Sequence, residues 1–316
     1  MVIIIKKEDI LKAVEKVDVV AAMEEGFIQY SKGNTVVPPV GELLFEEPRG
    51  EAHIKYGYIK KDDFYCIKIA SGFYDNPKLG ISSSQGLMLL FDQKTGQPAA
   101  VLLDEGVLTD IRTAAAGALA ARYFAPRDPE SIGIIGTGIQ ARLQLEFLLK
   151  QTDCRSVWIW GRNEENSKHF KEEMGKGVEI HIARSPSEVA QNTRLIVTTT
   201  PSETPLLFAD DIRPGTHITA IGSDTSHKQE LESALLQKAD ILIADSKSQS
   251  KSRGEIFRAV KDGLIDEEKA VELGNAILNP DLRRKKEDQI SIADLTGVAV
   301  QDIMIATAVY KNFINN

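Results

Sequence analysis

The stretch Ser131-Ile132-Gly133-Ile134-Ile135-Gly136-Thr137-Gly138-Ile139-Gln140-Ala141 holds the most specific chemistry in the chain. A β-branched run leads into a G-x-G-x-x-A pattern, and a helical pattern opens directly after it, the context in which such glycines cradle a pyrophosphate. Gly136 permits the tight turn, Gly138 lets backbone approach the phosphates, and Ala141 allows a helix to pack closely on a strand. The free N–H groups of Thr137, Gly138, Ile139 and Gln140 then face the anion at the positive end of the helix. An ordinary glycine turn needs neither the strand before it nor the helix after it.

Such a site discriminates between dinucleotides at the end of its second strand, some 20 residues on, where Asp or Glu reads the free 2′-hydroxyl of NAD. This chain reads Trp160-Gly161-Arg162-Asn163 there, with no carboxylate before Glu164. Arginine matches phosphate geometry, so Arg162 and Asn163 are expected to favour NADP(H), with NAD(H) possible. A surface arginine opening the next helix is the competing interpretation.

These residues need two scaffolds. At about 150 residues per domain, 316 residues suggest two, and 42% hydrophobic with 27% charged residues marks a globular chain. A net charge of −8 offers no basic field for nucleic acid or anionic lipid. The run Arg283-Arg284-Lys285-Lys286 is followed by Glu287-Asp288 and is expected to be solvated. Cys66 and Cys154 are too few for a disulfide framework or a metal site, and no apolar stretch reaches membrane or signal-peptide length. The expectation is a cytoplasmic protein.

Glu8 to Tyr30 has apolar residues at helical spacing. Short runs at 40–45, 53–59, 64–70, 86–91 and 99–103 then read as one antiparallel or mixed sheet, followed by a helix capped by Thr109. After the linker Ala125–Glu130, strands at 131–135, 156–160, 178–182, 195–199, 217–221 and 241–244 alternate with helices, the rhythm of a doubly wound parallel sheet. The expected fold class is α/β: a Rossmann-type domain over 126–297 plus an α+β substrate-binding and dimerisation domain over 1–125 with 298–316. A last helix ending near Asn312 is expected to return to the first domain.

Several separated motifs, in order, resemble the ornithine cyclodeaminase/μ-crystallin family, which includes an archaeal alanine dehydrogenase and ketimine reductases. They are Cys66-Ile67-Lys68-Ile69, Asn76-Pro77-Lys78-Leu79-Gly80, Thr109-Asp110-Ile111-Arg112-Thr113-Ala114-Ala115, the Gly136 loop, Thr198-Thr199-Thr200-Pro201, Gly215-Thr216-His217-Ile218, Gly222-Ser223-Asp224 and Asp294-Leu295-Thr296-Gly297. The resemblance implies a homodimer, an active site between its domains, and nicotinamide chemistry on the carbon–nitrogen bond of a small amino, imino or keto acid. It also implies that Lys68 contacts the substrate and shares in catalysis, that Arg112 binds substrate and cofactor, and that Ser83, Thr113, Thr200, Ile221 and Lys228 lie at the cofactor.

Chemistry supports some of these roles independently. Lys68 alternates with Ile67 and Ile69 and so points opposite to both, although an edge-strand lysine in water has the same pattern. Arg112, expected in the first turn of its helix, conflicts with the dipole there unless an anion sits beside it. Asp224 follows a strand at the sheet edge where ligands bind, and a carboxylate can give or take the proton that carbon–nitrogen redox chemistry requires. It could equally stabilise its own turn. His227 is a second acid–base candidate.

The chain departs from the family where Val40 follows Pro38-Pro39 in place of a cation, and where Ser226-His227 replaces Pro-Gly. Lys55, on the same sheet face as His53, is expected to take over the missing carboxylate contact. These changes argue against ornithine as the substrate. The favoured reading is an NAD(P)H-dependent imine or ketimine reductase or amino-acid dehydrogenase. The alternatives are a cyclodeaminase with tightly held NAD and a non-catalytic small-ligand-binding protein.

Overall fold

The computed structural model describes residues 2–73 and 75–315. The chain divides into two compact units, Met1–Arg112 with Val298–Asn316, and Thr113–Gly297.

The first unit contains β1 (Ile3–Lys6), α1 (Lys7–Val14), α2 (Val19–Ser31), β2 (Thr35–Val36), β3 (Gly41–Phe45), β4 (Gly50–Ile59), β5 (Phe64–Phe73), β6 (Ser84–Asp92) and β7 (Pro98–Leu103). Helix α3 (Val107–Phe124) follows, and the division between units falls within it, ahead of Ala125–Glu130. The single amphipathic pattern over Glu8 to Tyr30 is two helices, because Asp18 accepts from the Ala21 N–H at 3.0 Å and starts α2 afresh. The strands run β1-β7-β6-β5-β4-β2, with β3 also on β4. Strands β4 to β7 are antiparallel, and β1 joins β7 in parallel.

Both faces of this sheet carry apolar residues. Cys66, Met88, Leu90, Ala100 and Leu102 fill the buried face, and Lys55 and Lys68 lie on it with them. The opposite face carries a continuous apolar row across five strands, Ile4–Val101–Leu89–Ile67–Tyr56 in register. Ile4 is 62% exposed and Tyr56 39%.

The second unit is a parallel sheet. Its strands are β8 (Ile132–Ile135), β9 (Ser156–Trp160), β10 (Glu179–Ile182), β11 (Leu195–Thr198), β12 (His217–Ala220), β13 (Ile241–Ala244), β14 (Ala270–Glu272) and β15 (Ser291–Asp294). Its helices are α4 (Ile139–Leu148), α5 (Glu164–Met174), α6 (Pro186–Asn192), α7 (Ser233–Lys238), α8 (Gly254–Lys261) and α9 (Leu273–Leu278). The order β10-β9-β8-β11-β12-β15-β13-β14 reverses direction between β8 and β11, the point at which such sheets open a ligand crevice.

Two strands, β14 and β15, escape the sequence pattern. β15 has only Ile292 and Ala293 between Ser291 and Asp294, yet all four residues are buried. The basic run is not simply solvated either. Arg284 is partly buried and donates to the carbonyl of Phe124 (3.1 Å) and to Ser291 Oγ (3.0 Å).

The last helix, α10 (Ala299–Ile314), belongs to the first unit and packs on α1, α2, β4 and β5. Gly26 permits the close approach of α2, since a Cβ there would lie 2.8 Å from Met304 Cγ. Among the described residues no helix is long and apolar enough to cross a membrane.

Candidate active-site residues

In the second unit a cavity of about 310 Å³ opens at the β8–β11 crossover. Gly136 lies at φ +123°, and a Cβ there would meet Thr199 Oγ1 at 2.3 Å, so no other residue fits without rearrangement. A Cβ at Gly138 would enter open space. Gly138 caps α4 without a side-chain acceptor, which leaves the first N–H groups of the helix to be satisfied from outside. That combination suits a pyrophosphate.

The cavity brings together Gly136, Thr137, Gly138, Arg162, Asn163 and Thr200, all expected there. Arg162 is exposed and has no ion-pair partner among the described residues. Asn163 also caps α5, accepting from the Glu165 N–H at 2.9 Å. Trp160, Asn166, Pro201 and Leu206 line the cavity as well and were not anticipated.

Ile139, Gln140, Thr113, Ile221 and Lys228 belong to this unit but do not line the cavity. Ile139 is exposed at the start of α4, the Thr113 carbonyl accepts from Gln144 at 3.1 Å, and the Ile221 N–H donates to Thr198. Ser83 precedes β6 in the first unit, and its carbonyl accepts from the Phe73 N–H.

Asp224 lies beyond the end of β12, three residues after Ile221, with its side chain 38% exposed, and its Oδ1 accepts from Lys228 Nζ at 2.7 Å. The lysine expected at the cofactor therefore holds the candidate proton carrier. His227 is exposed.

The first unit holds a second site. Lys68, 2% exposed, and Arg112, 5% exposed, share one oxygen of Asp302 at 3.2 Å and 3.1 Å. Gln301 fixes the same guanidinium, its Oε1 accepting from Nη1 at 3.1 Å and from the Val298 N–H at 3.0 Å. Lys55 pairs with Lys68 across the ladder and is buried on the same face. Because α3 begins at Val107, Arg112 sits in its second turn, and the expected conflict with the helix dipole gives way to pairing with Asp302.

Burial pushes the Lys68 pKa down and Arg112 adds to that, while Asp302 opposes both. For Asp302 burial works to raise the pKa, but Lys68, Arg112 and Lys55 outweigh it and hold the carboxyl below its ordinary range. Asp302 Oδ2 has no hydrogen-bond partner among the described residues. Sequence reasoning missed Asp302. Its signal was available, since it is the one charged residue between Asp294 and Lys311.

A model of the ornithine cyclodeaminase/mu-crystallin family matches residues 2–316. An uncharacterized cyclodeaminase of Sinorhizobium fredii is 40% identical over 93% of this chain and 90% of its own length. The Δ1-pyrroline-2-carboxylate reductase of Thermococcus litoralis, solved with NADH and L-proline, superposes with a TM-score of 0.92 at 29% identity, covering 99% of this chain and 98% of that one. An archaeal alanine dehydrogenase dimer with bound NAD gives 0.91 at 32% identity, covering 99% and 96%.

The ion cluster has a measurable consequence. Asp302→Asn strands two buried cations and should cost about 3–5 kcal/mol of unfolding free energy at pH 7. The depressed carboxyl contributes stability above its unfolded pKa of 3.8, and that contribution fades as pH falls through the lower folded value. Denaturant unfolding of parent and variant should therefore diverge at neutral pH and converge in acid. A gap that stays the same from pH 7 into acid would mean that the pair contributes nothing through its charge.

Proposed function

The chain belongs to the ornithine cyclodeaminase/mu-crystallin family, and from that premise we propose that it is a nicotinamide-dependent enzyme acting on the carbon–nitrogen bond of a small amino or imino acid. The observation that carries this reading is the buried Lys68–Arg112 pair. Two cations share a single carboxylate oxygen, which leaves positive charge available to a substrate carboxylate.

A bound nicotinamide cofactor supplies or takes up the hydride. The chain's own residues do the rest: Lys68 and Arg112 hold the carboxylate, Lys55 extends that cationic face, and Asp224 exchanges the proton at nitrogen. Lys228 keeps the Asp224 carboxylate oriented through the 2.7 Å contact.

The preferred reaction is net reduction of an imino acid, or its reversal, with a cyclodeaminase as the second reading because a relative at 40% identity bears that description. Purified protein with NADPH or NADH and cyclic imines, or keto acids plus ammonia, should oxidise the cofactor. Ammonia release from ornithine without net cofactor turnover would instead establish the cyclodeaminase, and neither activity would overturn the enzymatic reading.

Within that reaction the Arg162 side chain favours NADP(H), since it lines the cavity as a cation with no ion-pair partner among the described residues. NADPH is expected to bind at least about tenfold more tightly than NADH, roughly 1.4 kcal/mol, and Arg162→Asp should abolish the preference. Equal titration curves for the two cofactors on the parent protein would remove it.

Asp224→Asn preserves size but cannot exchange a proton, so kcat should fall by about 10²–10⁴ while cofactor affinity holds. If turnover stays normal and only the melting temperature drops, Asp224 is a turn residue.

We further propose that the apolar sheet face pairs with a second copy of this chain, since its in-register row crosses five strands with Ile4 and Tyr56 exposed at either end, and a structural neighbour is a dimer. Light scattering should report a dimer, and Leu89→Glu at the middle of the row should yield monomers. A parent protein that is monomeric at micromolar concentration would exclude this pairing.

A further inference from the structure

Glu230 has no role in the chemistry above, yet it is fully buried beside residues that do. Its carboxylate accepts four hydrogen bonds. Oε1 takes the Thr200 N–H (2.6 Å) and Thr200 Oγ1 (2.7 Å), and Oε2 takes Thr198 Oγ1 (2.7 Å) and the Gly222 N–H (2.8 Å). Thr198 and Thr200 belong to the end of β11 that lines the cofactor cavity, and Gly222 opens the turn that carries Asp224.

The two strand ends touch backbone to backbone here. A Cβ at Gly222 would lie 2.0 Å from the Thr200 carbonyl and 2.6 Å from Glu230 Oε2. Glu230 is itself held in place. Glu255 of α8 accepts from the Glu230 N–H at 2.7 Å and the Leu231 N–H at 3.2 Å, and the next residue, Ile256, donates to Asp294 of β15 at 2.9 Å. Helix α7 starts only at Ser233, which leaves Glu230 outside the helix and able to reach both strand ends.

We propose that Glu230 is a positioning residue whose carboxylate ties the cavity-lining end of β11 to the Asp224 turn and so holds cofactor pocket and proton carrier in one register. This rests on the reading of that cavity as the nicotinamide cofactor site.

The geometry asks for the anion. An ionised carboxylate only accepts, and all four partners are able to donate. Protonation makes one threonine hydroxyl turn from donor to acceptor and replaces charge-assisted hydrogen bonds by weaker neutral ones. The groups facing Glu230 are the Thr198 and Thr200 hydroxyls of β11, the Gly222 N–H, and the carboxyls of Glu255 and Asp294. No lysine or arginine pairs with it among the described residues, and Lys228 is engaged by Asp224. Burial accordingly pushes the Glu230 pKa up to about 7, against the lowering effect of its hydrogen bonds. Burial likewise raises Glu255 and brings Asp294 to about 7. The tie weakens as pH falls through neutrality.

The test is titration of NADPH and NADH between pH 6 and pH 8.5 on the parent, Glu230→Gln and Glu230→Asp, with melting temperatures alongside. Parent affinity should weaken severalfold toward pH 6. Glu230→Gln should bind at pH 8 as weakly as the parent at pH 6, with a flat profile, and Glu230→Asp should fall between them. Hydrogen exchange on the parent needs no variant: protection of the Thr200 and Gly222 amides, corrected for intrinsic rate, should fall below pH 7 while that of β9 does not. Parent-like affinity and pH profile in Glu230→Gln, or exchange protection at Thr200 and Gly222 that ignores pH, overturns the tie. If neither cofactor binds the parent at any pH while the exchange result holds, the cofactor reading fails and the tie between the strand ends stands.

Discussion

Burying a charge costs several kcal/mol unless a counter-ion arrives with it, and the first unit depends on solving that problem. Lys68 and Arg112 sit in its interior, and the carboxylate that makes this tolerable comes from α10, 190 positions along the chain from Arg112. The unit is therefore made from two separated segments, with the parallel sheet lying between them in sequence. Removing both cations would be the simpler route to stability. Their retention, with one Asp302 oxygen shared between the two, fits the proposed binding of a substrate carboxylate.

The buried cations also mark one face of the sheet. Alternation along β5 correctly separates Lys68 from Ile67 and Ile69, but alternation alone says nothing about which face meets the helices. In this sheet charge goes inward and several apolar side chains go outward. Both faces carry apolar residues, so hydrophobicity alone does not say which of them is core. Spacing fixes the two faces, and only the helices that cover one of them decide which is core.

The legible parts of this protein were those whose cause is local. The Gly136–Ala141 loop and the strands β8 and β9 on either side of it follow from neighbouring residues, and the structure has them where the spacing puts them. The break between α1 and α2 was legible in principle, through Asp18, but the apolar spacing ran across it. Asp302 and Glu230 were not legible as site residues, because their meaning lies in partners far away in sequence. Glu230 lies 32 positions from Thr198. β15 was missed for a related reason: strands buried on both faces lose their alternation, and four residues are too few to show anything else.

The late arrival of α10 also has a consequence for biosynthesis. Residues 113–297 must leave the ribosome between the two parts of the first unit, which at roughly 5–20 residues per second takes some 10–40 s. Through that interval Lys68 and Arg112 lack the Asp302 carboxylate and the sheet lacks the cover of α10, while the second unit, continuous in sequence, is free to fold. The nascent chain therefore passes through a state with one finished unit and one open sheet. Until α10 arrives, the surface it will bury on β4 and β5 stays open to other chains.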